Sequence, residues 1–251
     1  MKLATHSALF LGLLATACLA DHHGGEKEFV ELFNGQDLTG WKVSEHPDSF
    51  SVQDGELVAV GPRAHLFYVG DVHGAVWKDF EVKMKVLTKP NANAGFYFHT
   101  EWQEEGWPAK GYEAQINATH KDPKKTGSIY AVVNVMDHAP HKDNEWFDYH
   151  IKVQGKTITL SINGELTATY TEQPGVVPNA KMPGRMLSEG TIAIQCHDPG
   201  SEARFKSIKI RPLSRHTPES LRPRAMALSN KHFVRLLEYL KSFDNLLIQG
   251  A

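Results

Sequence analysis

Cysteine is nearly absent from this chain: two in 251 residues, Cys18 and Cys196. Cys18 falls in an amino-terminal leader, so the mature chain has no pair to join and no internal disulfide. The spacings C-x-x-C and H-E-x-x-H do not occur, and with them go the redox and zinc sites that they build. No G-x-S-x-G elbow and no glycine-rich loop opening a helix is present, which removes the usual signals of serine hydrolases and phosphate binders. Charge of one sign is also lacking. The formal net charge is -2 and no basic stripe appears, so nucleic acid is not an expected partner. The longest leader run, Ala8 to Leu14, is too short to span a membrane.

What is present is ordinary globular composition, 41% hydrophobic and 22% charged, enough to bury a core without covalent staples. MKLATHSALFLGLLATACLAD has the form of a secretory signal peptide over 1–20, with cleavage after Ala20. ATAC is a second reading of the same stretch. It resembles a bacterial lipobox with lipid on Cys18, although Ala15 stands where that motif usually has Leu. Either form implies export to a periplasmic, secreted or outer-surface location. DHHGGEKE, 21–28, reads as a polar lead-in rather than a metal site.

From Phe29 to Leu213 the chain reads as strands. Asp54-Gly55 joins two alternating runs as a hairpin. DFEVKMKV alternates Phe80, Val82, Met84 and Val86 against Glu81, Lys83 and Lys85, the pattern of a half-buried antiparallel strand. WFDYHIKVQGKTITLSINGELTATY reads as three strands, turning at Gly155-Lys156 and Asn163-Gly164. About eleven strands and no helix before 215 predict an all-β sandwich or jelly roll. Residues 214–251 differ: an irregular linker, then an amphipathic helix with Phe233, Leu236, Leu237, Leu240 and Phe243 at helical spacing.

Four predicted strands carry an unusual second face. GFYFHTE presents Tyr97, His99 and Glu101. GYEAQI presents Glu113 and Gln115, SIYAVVNV presents Tyr130 and Asn134, and TIAIQCHD presents Gln195 and His197. Each residue alone is more often a surface or packing residue. Four such faces side by side would line a groove of rings, amides and one carboxylate. Rings stack on sugar C–H faces, and amides and carboxylates bind hydroxyls, so the expected ligand is a carbohydrate. Trp102 and Trp107 in TEWQEEGWPAKG would form its rim. Cys196 falls on the apolar face and reads as a buried hydrophobe. The His and Asp residues of HDP, 197–199, and MDHAPHKD, 136–143, read as wet loops.

FVELFNGQDLTGWK, NAGFYFH, GYEAQI, NEWFDYHIKVQGKTITLSING and GTIAIQCHDPGSEARFKSIKIRPL follow in order between 29 and 213. Together they resemble the signature segments of the secreted 3-keto-disaccharide hydrolase domain, which has a concanavalin A-like jelly roll related to lectins and β-glucanases. Four departures stand out: Ala94 where Ser is usual, Phe147 for Asn, Cys196 for a polar residue, and Lys206-Ser207 for Arg-Asn.

The resemblance implies a sugar oxidised to a ketone at C3. A C3 ketone acidifies the C2 proton, so a base can remove it and the C1 substituent can leave by elimination. Glu113 and His197 are the candidate base and acid. His99, Gln115, Tyr130 and Gln195 would orient hydroxyls or the ketone, and Tyr97 and Trp102 would stack on the sugar. A divalent metal ion is a conceivable enolate stabiliser. The alternatives are a non-catalytic carbohydrate-binding module, since lectins share this fold, and a surface interaction protein.

Overall fold

The structure is a computed structural model that describes residues 28–213. The expected leader, the Cys18 lipid site and the 229–243 helix lie outside the described residues. Thirteen strands follow one another: β1 Val30–Glu31, β2 Trp41–Val43, β3 Phe50–Gln53, β4 Glu56–Ala59, β5 Ala64–Tyr68, β6 Phe80–Thr88, β7 Ala94–Thr100, β8 Tyr112–Ile116, β9 Phe147–Gln154, β10 Thr157–Ile162, β11 Glu165–Thr171, β12 Thr191–Cys196 and β13 Ala203–Pro212. They form two antiparallel sheets. One has eight strands in the order β11-β10-β9-β6-β13-β4-β3, with β1 beside β13; the other has five, β2-β5-β12-β7-β8.

The predicted hairpins form where the sequence places them. Asp54-Gly55 and Asn163-Gly164 both adopt left-handed φ at two successive residues, which matches the twist of the strands they join. The LFNG…GW segment is structural. Asn34 and Asp37 cap their own turn, and the Trp41 indole donates to the Leu32 carbonyl at 3.0 Å. The inner faces then meet in one core. Phe80 of the larger sheet packs edge-on against Phe98 of the smaller, with ring centres 5.9 Å apart. The Tyr149 hydroxyl crosses the same gap to the Gln115 carbonyl at 3.2 Å.

Phe205, wholly buried on β13, sits in that core. Phe205→Ala is expected to cost about 3–5 kcal/mol of unfolding free energy through lost burial and the cavity left behind. Urea unfolding measures this, and a loss too small to resolve would contradict its central position.

The two sheets differ in how their outer faces are treated. β9 and β10 alternate buried and solvated residues, but β5, β7, β8 and β12 are buried at every residue. Long connections therefore cover the outer face of the five-stranded sheet. SIYAVVNV belongs to one of them and is not a strand. Gly127 and the segment's residues 128–130 lie along the free edge of β8, with the Gln115 N–H donating to Ser128 O and the Tyr130 N–H to Glu113 O. A turn at Ala131, with left-handed φ, then doubles the segment back through the Val133 N–H to Ile129 O bond. β-Branched content and alternation resemble a strand here, but the turn breaks the run after two or three pairings.

Candidate functional site

Strand order β12-β7-β8 brings three of the four polar faces together. Tyr97 is directly opposite Glu113, and Gly95 lies between Gln115 on one side and Gln195 on the other. The Tyr97 hydroxyl donates to Glu113 Oε2 at 2.9 Å. Gln195 Nε2 donates to Glu113 Oε1 and to the Tyr97 oxygen, each at 3.2 Å. Glu113 is only 5% exposed, so it is not the wet side of a sheet. Burial pushes its carboxyl up to about 7, against the opposing pull of the Tyr97 hydrogen bond, the Arg185 charge and the Gln195 hydrogen bond. Burial and the neighbouring carboxylate also raise Tyr97 well above the usual phenol range, so it remains a donor.

Gly95 makes this geometry possible. A Cβ there would sit 2.4 Å from Glu113 Oε1. The carboxylate lies flat across the strand where any other residue would project.

A second polar chain runs along the cleft's far side. Gln115 donates to Asn93 Oδ1 at 3.0 Å, and Asn93 meets His120 Nδ1 at 3.3 Å. The His120 ring is 5.6 Å from His197. His197 Nδ1 is 2.6 Å from Asp198 Oδ2. Burial would raise Asp198, but hydrogen bonds from His197, Ser201 and Gly200 outweigh it and hold the carboxyl below its usual range. With Nδ1 engaged by Asp198, Nε2 is the His197 nitrogen left for a ligand.

Above these residues lies a cleft of about 450 Å³. Glu113, Tyr97, Gln115, Gln195 and His197 line it, as expected from the sequence, and Tyr130 joins them from its loop. Tyr130 donates to Asp122 at 3.0 Å, placing a second carboxylate on the same wall. The side-chain carbonyls of Gln115 and Gln195 are buried without a partner among the described residues. Unfilled acceptors in a cleft suit a ligand rich in hydroxyl donors.

Trp107 stands at the mouth, 44% exposed, with its ring 5.4 Å from His197 and 5.5 Å from His65. Its loop is held from two sides. Gln103 donates to the carbonyls of Glu105 and Trp107, and Glu45 accepts from Gly106 N–H and Arg63. Beneath it His65 is fully buried, and burial drives its ring down to about 3, keeping it neutral.

The sequence matches the family described as "3-keto-alpha-glucoside-1,2-lyase-like domain" over residues 28–211. The chain belongs to this family. The fold agrees with solved structures. A candidate glycosyl hydrolase from Parabacteroides distasonis superposes with a TM-score of 0.62 at 23% identity, covering 74% of this chain and 94% of that one. A second from the same organism gives 0.59 at 22% identity, covering 74% and 100%. A Bacillus subtilis protein of unknown function with a galectin-like fold gives 0.54 at 10% identity, covering 76% and 99%. The chain is thus a 3-keto-glucoside-lyase-like domain on a lectin-type, concanavalin A-like β-sandwich. No curated protein matches it.

Two residues expected in the site of this lyase-like domain lie elsewhere. β7 and β12 lose register after Phe98, leaving His99 unpaired with φ 57°. This bulge turns the His99 ring away from the cleft, between the Lys78 carbonyl at 2.9 Å and the Ser188 N–H at 3.2 Å, against Phe80. Trp102 covers Phe67 at 5.3 Å with Lys42 Nζ over its ring at 3.8 Å, and borders a separate groove beside Tyr68 and Val76. Both are packing residues in this arrangement.

Arg185 and Asp122 line the cleft from connections without periodicity, and no sequence signal marks them, whereas Asn93 lines it from the residue before β7, at the head of NAGFYFH. Cys196 is buried and its thiol is pushed up to about 12 by burial, consistent with a core residue. Among the described residues no group of three or more His, Cys, Asp or Glu is placed to hold a metal ion.

Proposed function

We propose that this domain cleaves 3-keto-glycosides by elimination, with Glu113 as general base. The observation that carries the proposal is a buried carboxyl at the floor of the cleft, raised to about 7 and held by Tyr97 and Gln195. Each Glu113 oxygen accepts one of these hydrogen bonds, and a carboxylate oxygen has a second lone pair for a substrate proton. A base poised near neutrality combines a useful ionised fraction with proton-transfer driving force.

The steps balance without an oxidant or reductant. Glu113 takes the proton from C2, the C2–H pair becomes a C2=C3 bond, and the ketone π pair moves onto the C3 oxygen. The C3 carbonyl then re-forms, a C1=C2 bond appears, and the C1–O bond breaks. His197, oriented by Asp198, gives a proton to the departing oxygen. Water added across C1=C2 restores a 3-keto sugar, so the net result is hydrolysis. Gln115, Gln195 and Tyr130 orient hydroxyls, while Tyr97 supports the base rather than stacking on sugar.

Asp122 supports a second reading. It lines the same cleft, and hydrogen bonds and Lys124 outweigh burial to hold it low while Glu113 is held high. Two carboxyls with separated affinities suit direct glycoside hydrolysis. A glucoside with a chromogenic leaving group, compared with its C3-oxidised form, separates the two. Elimination releases aglycone from the ketone alone, because only there is the C2 proton acidic. Equal release from the unoxidised glucoside favours the paired-carboxylate hydrolase. Saturable binding of plain oligosaccharides with no release from either favours a binding module. For the ketone, kcat/KM is expected to fall as pH drops below about 7, since protonation removes the base. A rate flat through that range contradicts the assignment of Glu113.

A further inference from the structure

We propose that Arg185 receives the C3 oxygen of the keto-sugar and stabilises the enolate formed when C2 loses its proton. This rests on the elimination reading above. That step places a full negative charge on one oxygen, and the cleft needs a cation there. Arg185 lies between β11 and β12 and lines the cleft with Glu113. Its Nη1 donates to the Tyr130 carbonyl, and the Tyr130 N–H donates to the Glu113 carbonyl at 2.9 Å. Two hydrogen bonds through one residue's backbone therefore tie the guanidinium to the strand that carries the base.

The charge on Arg185 is uncommitted. Among the described residues no carboxylate lies within ion-pair distance of it. It is half-buried, and a half-buried cation with no anion is set to receive one. The guanidinium carries five N–H donors, so most remain for a ligand after the bond to Tyr130. The guanidinium carbon lies 5.8 Å from the Tyr130 ring centre, so the ring holds the side chain along the wall. Its field also reaches Glu113, Tyr97 and Tyr130, favouring the ionised form of each.

The test is steady-state release from the chromogenic 3-keto-glucoside by the wild type, Arg185→Gln and Arg185→Lys, across pH. Arg185→Gln is expected to lower kcat by roughly 10²–10³-fold, the usual effect of removing a donor from a developing oxyanion. KM should change far less. Its acid limb should move to higher pH, because Glu113 loses a stabilising positive charge. Arg185→Lys keeps the charge but not the fork, so its acid limb should stay near the wild-type position while kcat recovers only in part. A wild-type kcat in Arg185→Gln, or an acid limb that does not move, overturns the proposal. A wild type inert towards the ketone overturns the elimination reading instead.

Discussion

Glu113→Gln is expected to abolish turnover and stabilise the fold at the same time. Removing a general base costs roughly 10²–10⁴-fold in rate. The stability effect follows from the burial of the charge. The carboxyl is raised from the usual carboxylate range to about 7 in the folded protein. Between those values the native state binds more protons than the unfolded chain, so stability falls as pH rises through that window. The full cost, about 3 kcal/mol, is present above the folded value and absent below the unfolded one. Glutamine is close in shape and carries no charge. The variant should therefore be more stable than the wild type by about 1–3 kcal/mol near pH 8, and no more stable in acid, where Glu113 is protonated in both states. Urea unfolding at the two pH values measures the difference. Equal stabilities at both would mean that Glu113 is not held neutral by its surroundings.

Gly95→Ala should be nearly as damaging to activity while leaving the glutamate in place. The new methyl would stand 2.4 Å from Glu113 Oε1. The strand backbone at Gly95 accepts alanine, so the side chain has to move. The carboxylate must leave the Gln195 amide, the Tyr97 hydroxyl or both. A displacement of about 1 Å in a catalytic group costs on the order of 10² in rate, and overpacking here costs about 1–3 kcal/mol in stability. The double variant Gly95→Ala, Glu113→Gln should be no slower than Glu113→Gln alone, because both changes remove the same function. Additive losses in that cycle would show that Gly95 acts through something other than Glu113.

These effects converge on a site only partly legible in the sequence. The strands of the larger sheet were readable because one face is solvated. Phe80, Val82, Met84 and Val86 are buried on β6, while Lys83 and Lys85 face outward beside it. The polar faces of β7, β8 and β12 were readable for the opposite reason: Tyr97, Glu113, Gln115 and Gln195 are too specialised for an ordinary wet surface. Alternation failed at backbone irregularities. A bulge takes His99 out of the cleft, and a left-handed residue at Ala131 turns the SIYAVVNV segment back on itself. Period-2 reasoning does not register either event: the bulge is set by pairing with distant β12, and the turn closes on the segment's own Ile129 and Val133. The remaining wall comes from connections, where Asp122 and Arg185 are set by loop hydrogen bonds such as those to Tyr130. Nothing local in DPKK or PGRM distinguishes them from surface charge.

The same division explains how a lectin-type sandwich would acquire chemistry. The inner faces build a rigid platform, and Gly95 leaves it flat enough for a carboxylate to lie on. The connections then withdraw that carboxylate from water, which raises its proton affinity, and supply the groups that answer its charge. Trp107, pinned by the self-bonded loop around Gln103, narrows the entrance above His197.

The most direct test of base-promoted elimination is the fate of the C2 hydrogen. The chromogenic 3-keto-glucoside, deuterated at C2, should release its aglycone more slowly than the protonated compound when mixed with the wild-type protein, and its deuterium should appear in solvent. Glu113→Gln should abolish both release and loss of label. Release at the same rate from both compounds, with deuterium still on C2 of the product, would contradict proton abstraction by Glu113.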